Sequence, residues 1–252
     1  ARWGYEALAV YHFMNNKYEK QFYSLNKAIS TADFKKFYLY KELKNKIEAV
    51  KRNYEDPDNK EKTNNDLTVL RNEIRKESEV NTNLRRFDLA DNLYYEKLTP
   101  ELINQTDSYI ERLKKYYIKF RNVADNKRDS IERALENIDR EKHRKIKRDY
   151  SNKNLKDFVT NSNESQKILE YKGELVQKVD PIYLDPKNKF IKAHFYAPRK
   201  QLFGKYYDTL WVNILAIWLM TILLYGALNY RLLKKFLDSF EQIGSMFAKS
   251  EE

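Results

Sequence analysis

Between Asp208 and Arg231 the chain carries no charged side chain, and the run from Thr209 to Tyr230 reads TLWVNILAIWLMTILLYGALNY. As a helix rising about 1.5 Å per residue it would measure roughly 33 Å. The hydrocarbon core of a bilayer is about 30 Å thick. Tyr206, Tyr207 and Trp211 stand at one end and Tyr225 and Tyr230 at the other, as aromatic belts do at membrane–water interfaces. A buried helix of a soluble protein is the competing reading. Soluble helices of this length rarely lack a charge, so residues 208–230 are assigned to a transmembrane helix.

Asn213 and Thr221 are the polar exceptions in that run. An intramembrane Asn more often hydrogen-bonds a neighbouring helix than a substrate. Packing is therefore expected at Asn213, Thr221 and Gly226, with a transport path as the alternative. Basic residues do not orient the span. Arg199, Lys200 and Lys205 precede it, Arg231, Lys234 and Lys235 follow it, and the positive-inside count is a tie.

Taken over all 252 residues the chain has the opposite character: 34% are charged, with 48 Lys+Arg against 37 Asp+Glu and a net charge of +11. Such a balance points to nucleic acid or to an anionic membrane. The densest basic run is Arg140, Lys142, Arg144, Lys145, Lys147 and Arg148. Asp139, Glu141 and Asp149 interrupt it, and helical spacing spreads it around the axis. A solvated or lipid-facing helix tip is expected there, and nucleic acid is not. The absence of Cys excludes a disulfide scaffold, a thiolate metal site and a Cys nucleophile. Five Gly and five Pro are too few for a sandwich of tight hairpins. Neither a phosphate-binding loop nor an H-E-x-x-H motif occurs. His12, His143 and His194 lack ligand spacing. No catalytic or metal-binding residue is assigned.

Residues 30–175 read as successive helices. Ser30, Thr31 and Asp33 offer start signals before Phe34. Tyr40, Leu43, Ile47, Val50 and Tyr54 then share one face, and Asp56-Pro57-Asp58-Asn59 ends that helix. Leu67, Leu70 and Ile74, continued by Leu84 and Phe87, suggest a second helix whose seam Glu77 and Asn81 interrupt. Thr99-Pro100-Glu101 starts a third, with Thr99 as N-cap. A heptad follows it, with Ile103, Ile110, Tyr117, Ala124, Ile131 and Ile138 in one register and Thr106, Leu113, Phe120, Lys127 and Ala134 in the other. A helix over about 100–149 would reach roughly 75 Å and argues for antiparallel coiled-coil packing. Leu155, Phe158, Ile168, Leu169 and Leu175 suggest a further helix or two. Pro181, Pro186 and Pro198 punctuate the stretch after it, where Ile191, Ala193 and Phe195 alternate as in a short strand.

The first segment, Arg2-Trp3-Gly4-Tyr5-Glu6-Ala7-Leu8, resembles the R-[YW]-[GA]-[FY]-x-A-[LM] segment of ABC-2-type permeases, the membrane parts of G-subfamily-like ATP-binding-cassette transporters. The stretch Tyr196-Ala197-Pro198-Arg199-Lys200, with Phe203-Gly204 and Asp208-Thr209-Leu210-Trp211, resembles the approach to the last transmembrane helix in bacterial members, especially Bacteroidota-type fusions of ATPase and permease. In that family the first segment follows the fifth transmembrane helix at the outer leaflet, and an external connection leads to the last helix. The resemblance thus implies the C-terminal part of a longer transporter chain, with the ATPase domain and earlier helices preceding Ala1. One departure matters. Eukaryotic members have a short external loop here, often disulfide-bonded, whereas this chain places most of its length there and has no Cys. Residues 1–20 on their own read as an amphipathic aromatic stretch suited to a membrane interface.

The expectation is an all-α chain: an extended helical or coiled-coil extracytoplasmic domain plus one C-terminal transmembrane helix. Residues 1–20 form an interfacial or re-entrant segment bearing the motif Arg2, Trp3, Gly4, Tyr5 and Glu6. Residues 21–178 form the helical domain, 179–207 a Pro-punctuated linker, 208–230 the span and 231–252 a cytoplasmic tail. The resemblance implies a bacterial inner-membrane location and a periplasmic helical domain that gates, holds cargo or docks a periplasmic protein. It also implies a homodimeric or larger assembly in contact with lipid, the ATPase domain and the remaining helices. No cofactor is expected in this chain; ATP and Mg would belong to the ATPase domain. The rival expectation is a tail-anchored coiled-coil scaffold without transport activity.

Overall fold

The computed structural model describes residues 2–80, 84, 86–186 and 188–231. The expected tail, with Lys234 and Lys235, and the seam position Asn81 lie outside the described residues. Helix makes up 73% of the described residues, which are all-α in class with one apolar C-terminal helix. The chain divides into two units. One comprises residues 12–184, and the other comprises the start of the chain together with everything from Asp185 onward.

The first helix, α1 (Arg2–Asn15), belongs mostly to the second unit. In the helical unit α2 (Glu19–Phe34), a π-helical segment (Lys35–Leu39) and α3 (Tyr40–Asn53) follow one another without a break. The expected start near Ser30 therefore does not occur. Ser30 instead donates its hydroxyl to Asp180 (2.7 Å), and Asp33 accepts from Arg121 Nε (3.0 Å). Tertiary partners take the oxygens that would have capped a helix, and without Gly or Pro the chain continues as helix. Leu43, Ile47 and Val50 are fully buried, as their spacing requires. Asp56 caps the short turn Pro57–Asn59, and α4 (Lys60–Val80) buries Leu67, Leu70 and Ile74. It ends at Val80, so Leu84 and Phe87 are not part of it; Phe87 precedes a 3-10 turn (Asp88–Asn92). Glu77, expected to interrupt the seam, is buried instead. It is bonded by Lys35 and by the Tyr117 hydroxyl (2.5 Å), which supply what a buried carboxylate needs.

Thr99 caps α5 (Pro100–Tyr150), accepting from the Leu102 amide at 3.1 Å. Ile103, Thr106, Ile110, Leu113, Tyr117 and Ala124 are buried, but Phe120 and Ile138 are exposed, Ile138 at 82%. The heptad thus serves only the first half of the helix. Its apolar residues join one core with those of α2, α3 and α4, and that core rather than a coiled-coil seam is what the structure exhibits. The 75 Å rod is also corrected. Asp139 leaves the helical region (φ −158°, ψ 93°) and its carboxylate caps the next turn through the Lys142 amide (2.9 Å). Lys147 then reaches Glu132 at 2.7 Å. Fifteen residues of straight helix would separate them by roughly 22 Å, so the helix doubles back at Asp139. This turn brings Lys147 of the basic run back to the part of α5 that precedes Asp139, and His143 is buried.

After α6 (Lys153–Thr160), the expected further helix over Ile168–Leu175 is a hairpin. β1 (Ile168–Tyr171) pairs antiparallel with β2 (Glu174–Gln177), with Ile168 opposite Gln177. Lys172 and Gly173 (φ 51° and 73°) form its turn. The hairpin lies on α4: the Asn72 amide donates to the Gly173 carbonyl (2.9 Å), and the Leu175 amide donates to buried Glu73 (2.8 Å). Sequence periodicity alone does not separate short apolar runs of strand from those of helix.

In the other unit no strand forms at Ile191–Phe195. The strands are β3 (Arg199–Leu202) and β4 (Lys205–Asp208), paired with Arg199 opposite Asp208 around a Phe203-Gly204 turn. β4 leads directly into α7 (Thr209–Asn229), which is long and apolar enough to cross a membrane, with 11% of its apolar stretch buried.

Candidate functional site

The buried part of α7 is its first turn and a half. Thr209, Val212 and Asn213, at i, i+3 and i+4, share one face and are buried. The same spacing puts the Trp3 carbonyl and the Glu6 side chain on one side of α1. From β3, Lys200 points to the same place, because alternation along the strand buries it between the half-buried Arg199 and Gln201.

These groups close a network within the unit formed by the chain start and the stretch from Asp185. Lys200 Nζ donates to Glu6 Oε2 (2.7 Å) and to Asn213 Oδ1 (2.8 Å). Asn213 Nδ2 donates to Glu6 Oε2 (2.9 Å) and to the Trp3 carbonyl (2.9 Å). The Trp3 ring faces Lys200 Nζ at 4.6 Å. The side chains of Glu6 and Lys200 are each 5% exposed. A lone buried charge would be strongly unfavourable; here ammonium and carboxylate neutralise one another, and the Asn amide uses both donors and its acceptor. Directional bonds from three segments define a single arrangement, which apolar packing alone would leave less specified.

Arg2 and Tyr5, which flank Trp3 and Glu6 in sequence, make aromatic contacts of their own. Tyr5 stacks on Phe195 (6.4 Å between centroids, 16°) and meets Tyr196 (6.4 Å), and the Arg2 guanidinium lies 5.2 Å from the Phe195 ring centroid. Burial pushes the Tyr196 phenol up to about 12, aided by its hydrogen bond with Tyr5. Arg199 forms a bidentate pair with Asp185 (2.7 and 2.8 Å), and the Thr209 hydroxyl donates to the Ala197 carbonyl (2.6 Å).

Of the motif residues singled out from sequence, Trp3 and Glu6 thus meet Asn213, while Arg2 and Tyr5 pack against Phe195 and Tyr5 also against Tyr196. Gly4 does not take part: a Cβ there would meet nothing within 4 Å. Thr221 donates to the Ile217 carbonyl of its own helix (2.9 Å), and Gly226 likewise has open space where a Cβ would stand. Close approach of a second helix at Gly226 therefore does not occur among the described residues. In the sequence Lys200 reads only as a charge flanking the span. Nothing in a linear pattern separates a buried Lys from a flanking one, because its charge partner Glu6 lies 194 positions away along the chain.

The arrangement holds α1, β3 and the start of α7 together through paired charges and amide bonds. Among the described residues no group of three His, Asp or Glu side chains could hold a metal ion. In the helical unit a polar recess of about 280 Å³, lined by Tyr18, Glu19, Glu132 and Lys147 among others, adjoins the doubled-back end of α5. Glu132 is held below the usual carboxylate range by its bond from Lys147, while burial raises Glu19. No family model, curated protein or solved structure matches the chain.

Proposed function

We propose that this chain is part of the membrane component of an ATP-driven transporter of the ABC-2 type, with its helical unit on the extracytoplasmic side. One observation carries the reading. The two stretches that resemble the family lie at opposite ends of the sequence, Glu6 and Lys200 being 194 positions apart, yet their side chains bond directly in one buried network. A resemblance confined to sequence would have no reason to converge in space. A membrane-proximal module that docks the outer segment on the last helix does. The apolar residues of α7 that remain exposed, among them Leu215, Trp218, Leu219 and Ile222, would then face lipid and the remaining helices. ATP and Mg would act on the ATPase domain, and residues 231–252 would be cytoplasmic. The helical unit, with its exposed turn at Ile138-Asp139, would dock a periplasmic partner.

Topology and coupling are both testable. These 252 residues contain no Cys, so Asp58→Cys, in a background made free of any other Cys, provides a labelling site in the exposed turn before α4. A membrane-impermeant maleimide should label it in intact spheroplasts. Labelling only in inverted vesicles would favour the tail-anchored scaffold. Purified with its native membrane partners, the protein should carry a phosphate-loop ATPase, within the same polypeptide or bound to it. Absence of that ATPase from a stable, solubilised complex would refute the transporter reading.

A further inference from the structure

Between Asp185 and Asp208 the chain has six basic residues, Lys187, Lys189, Lys192, Arg199, Lys200 and Lys205, and no acidic one. Two of them are neutralised within the fold, Arg199 by Asp185 and Lys200 by Glu6. Lys189, Lys192 and Lys205 are exposed. Beside them in sequence stand two exposed rings, Phe203 at 89% and Phe190 at 54%, which meet edge to face at 5.7 Å.

The backbone presenting these rings is strained. Phe203 occupies the left-handed region (φ 51°), followed by Gly204 (φ 80°), at a hairpin turn that normally favours Asn or Asp at the first position. Ile191, next to Phe190, is also left-handed (φ 45°), which is most unfavourable for a β-branched residue. The Lys192 amide donates to the Phe190 carbonyl around it, and the Ile191 amide holds this loop to the hairpin through the Gln201 carbonyl (2.8 Å). Polar residues would occupy both turns with less strain and without exposing rings to water. Residues held in such regions cluster at functional sites, which makes these two turns candidates for one.

Continuity with α7 indicates what covers the rings. The base of the hairpin is tied to the first residue of the helix, since the Thr209 amide donates to the Pro198 carbonyl (3.3 Å) and its hydroxyl to Ala197 (2.6 Å). The tip therefore lies only about 13 Å of strand, four residues at about 3.3 Å each, from the end of the apolar helix. Exposed Tyr206 and Tyr207 occupy the interval, and exposed Trp211 stands in the first turn of α7. We propose that the Phe190–Phe203 tip seats in the interface of an anionic bilayer, the one that α7 crosses. The rings sit below the phosphate level, and Lys189, Lys192 and Lys205 contact lipid phosphates. This rests on α7 being a membrane span, and not on the transporter assignment.

The test uses the full chain in vesicles of phosphatidylcholine with phosphatidylglycerol. Single nitroxide labels are placed by Phe203→Cys, by Leu202→Cys, which keeps both rings, and by Leu219→Cys in mid-helix. Accessibility to oxygen relative to a water-soluble nickel chelate reports depth. The ratio at 202 and 203 should exceed that of a water-exposed label several-fold. It should fall toward the aqueous value when phosphatidylglycerol is omitted, in K189Q/K192Q/K205Q, and in Phe190→Ser. Aqueous values at 202 and 203 with a membrane-buried label at 219 would overturn the tip proposal and leave the span intact. Aqueous values at all three sites would overturn both. A buried tip indifferent to anionic lipid and to the three lysines would overturn the lipid assignment.

Discussion

Lys200→Met removes the ammonium from the network at the start of α7 while keeping most of the volume of its stem. Glu6 then keeps the hydrogen bond from the Asn213 amide but no cation, in a site where its side chain is 5% exposed. Breaking a buried pair by deleting one partner costs about 3–5 kcal/mol, because the other charge stays desolvated. That energy bears on the docking of α1, since Glu6 and the Trp3 carbonyl are its polar anchors. Hydrogen exchange of the α1 amides, read by mass spectrometry on the chain in nanodiscs, reports local opening. At about 1.4 kcal/mol per tenfold, exchange should accelerate by roughly two to three and a half orders of magnitude. The double variant Lys200→Met with Glu6→Leu leaves no charge behind. It should lose only about 1–3 kcal/mol, the cost of the partly unpaired Asn213 amide. Exchange in Lys200→Met within a factor of about five of the parent, or a double variant that loses the sum of the two singles, would refute the view that the pair acts as one buried unit.

Other consequences are local. Gly173→Ala places a Cβ at φ 73°, 3.2 Å from Thr68 Cγ2, and should lower stability by about 1–2 kcal/mol in thermal unfolding. Thr99→Ala should cost about 1 kcal/mol by removing the cap of α5. The depressed Glu132 carboxyl favours the folded state above the ordinary carboxylate range and loses that contribution as pH falls through its lowered value. Its partner Lys147 is half exposed, so the effect stays below about 1 kcal/mol, and Glu132→Gln should remove it from the acid limb of the stability profile. For Tyr196 the raised value means a contribution intact below the ordinary phenol range and lost as pH rises through about 12. Tyr196→Phe should delete that late component from an ultraviolet titration.

Much of the helical architecture is legible in the sequence. The faces of α3 and α4, the Thr99 cap and the extent of α7 follow from periodicity, capping chemistry and an uncharged run, all of which are local properties. Local reading fails where a side chain has a distant partner. Ser30 and Asp33 have the chemistry of caps but serve Asp180 and Arg121. Glu77 has the pattern of a flaw in a seam but is a buried acceptor for Tyr117. The heptad of α5 continues past the point where the core can receive it, and Asp139 turns the helix back.

What this chain determined by itself is a polar helical body and one apolar helix, because backbone propensity and the period of apolar residues act over neighbouring positions. Only the tertiary structure decided that Glu6, Lys200 and Asn213 form one buried network. A charge tolerates burial only when its partner arrives from elsewhere in the chain, and no local pattern records that arrival.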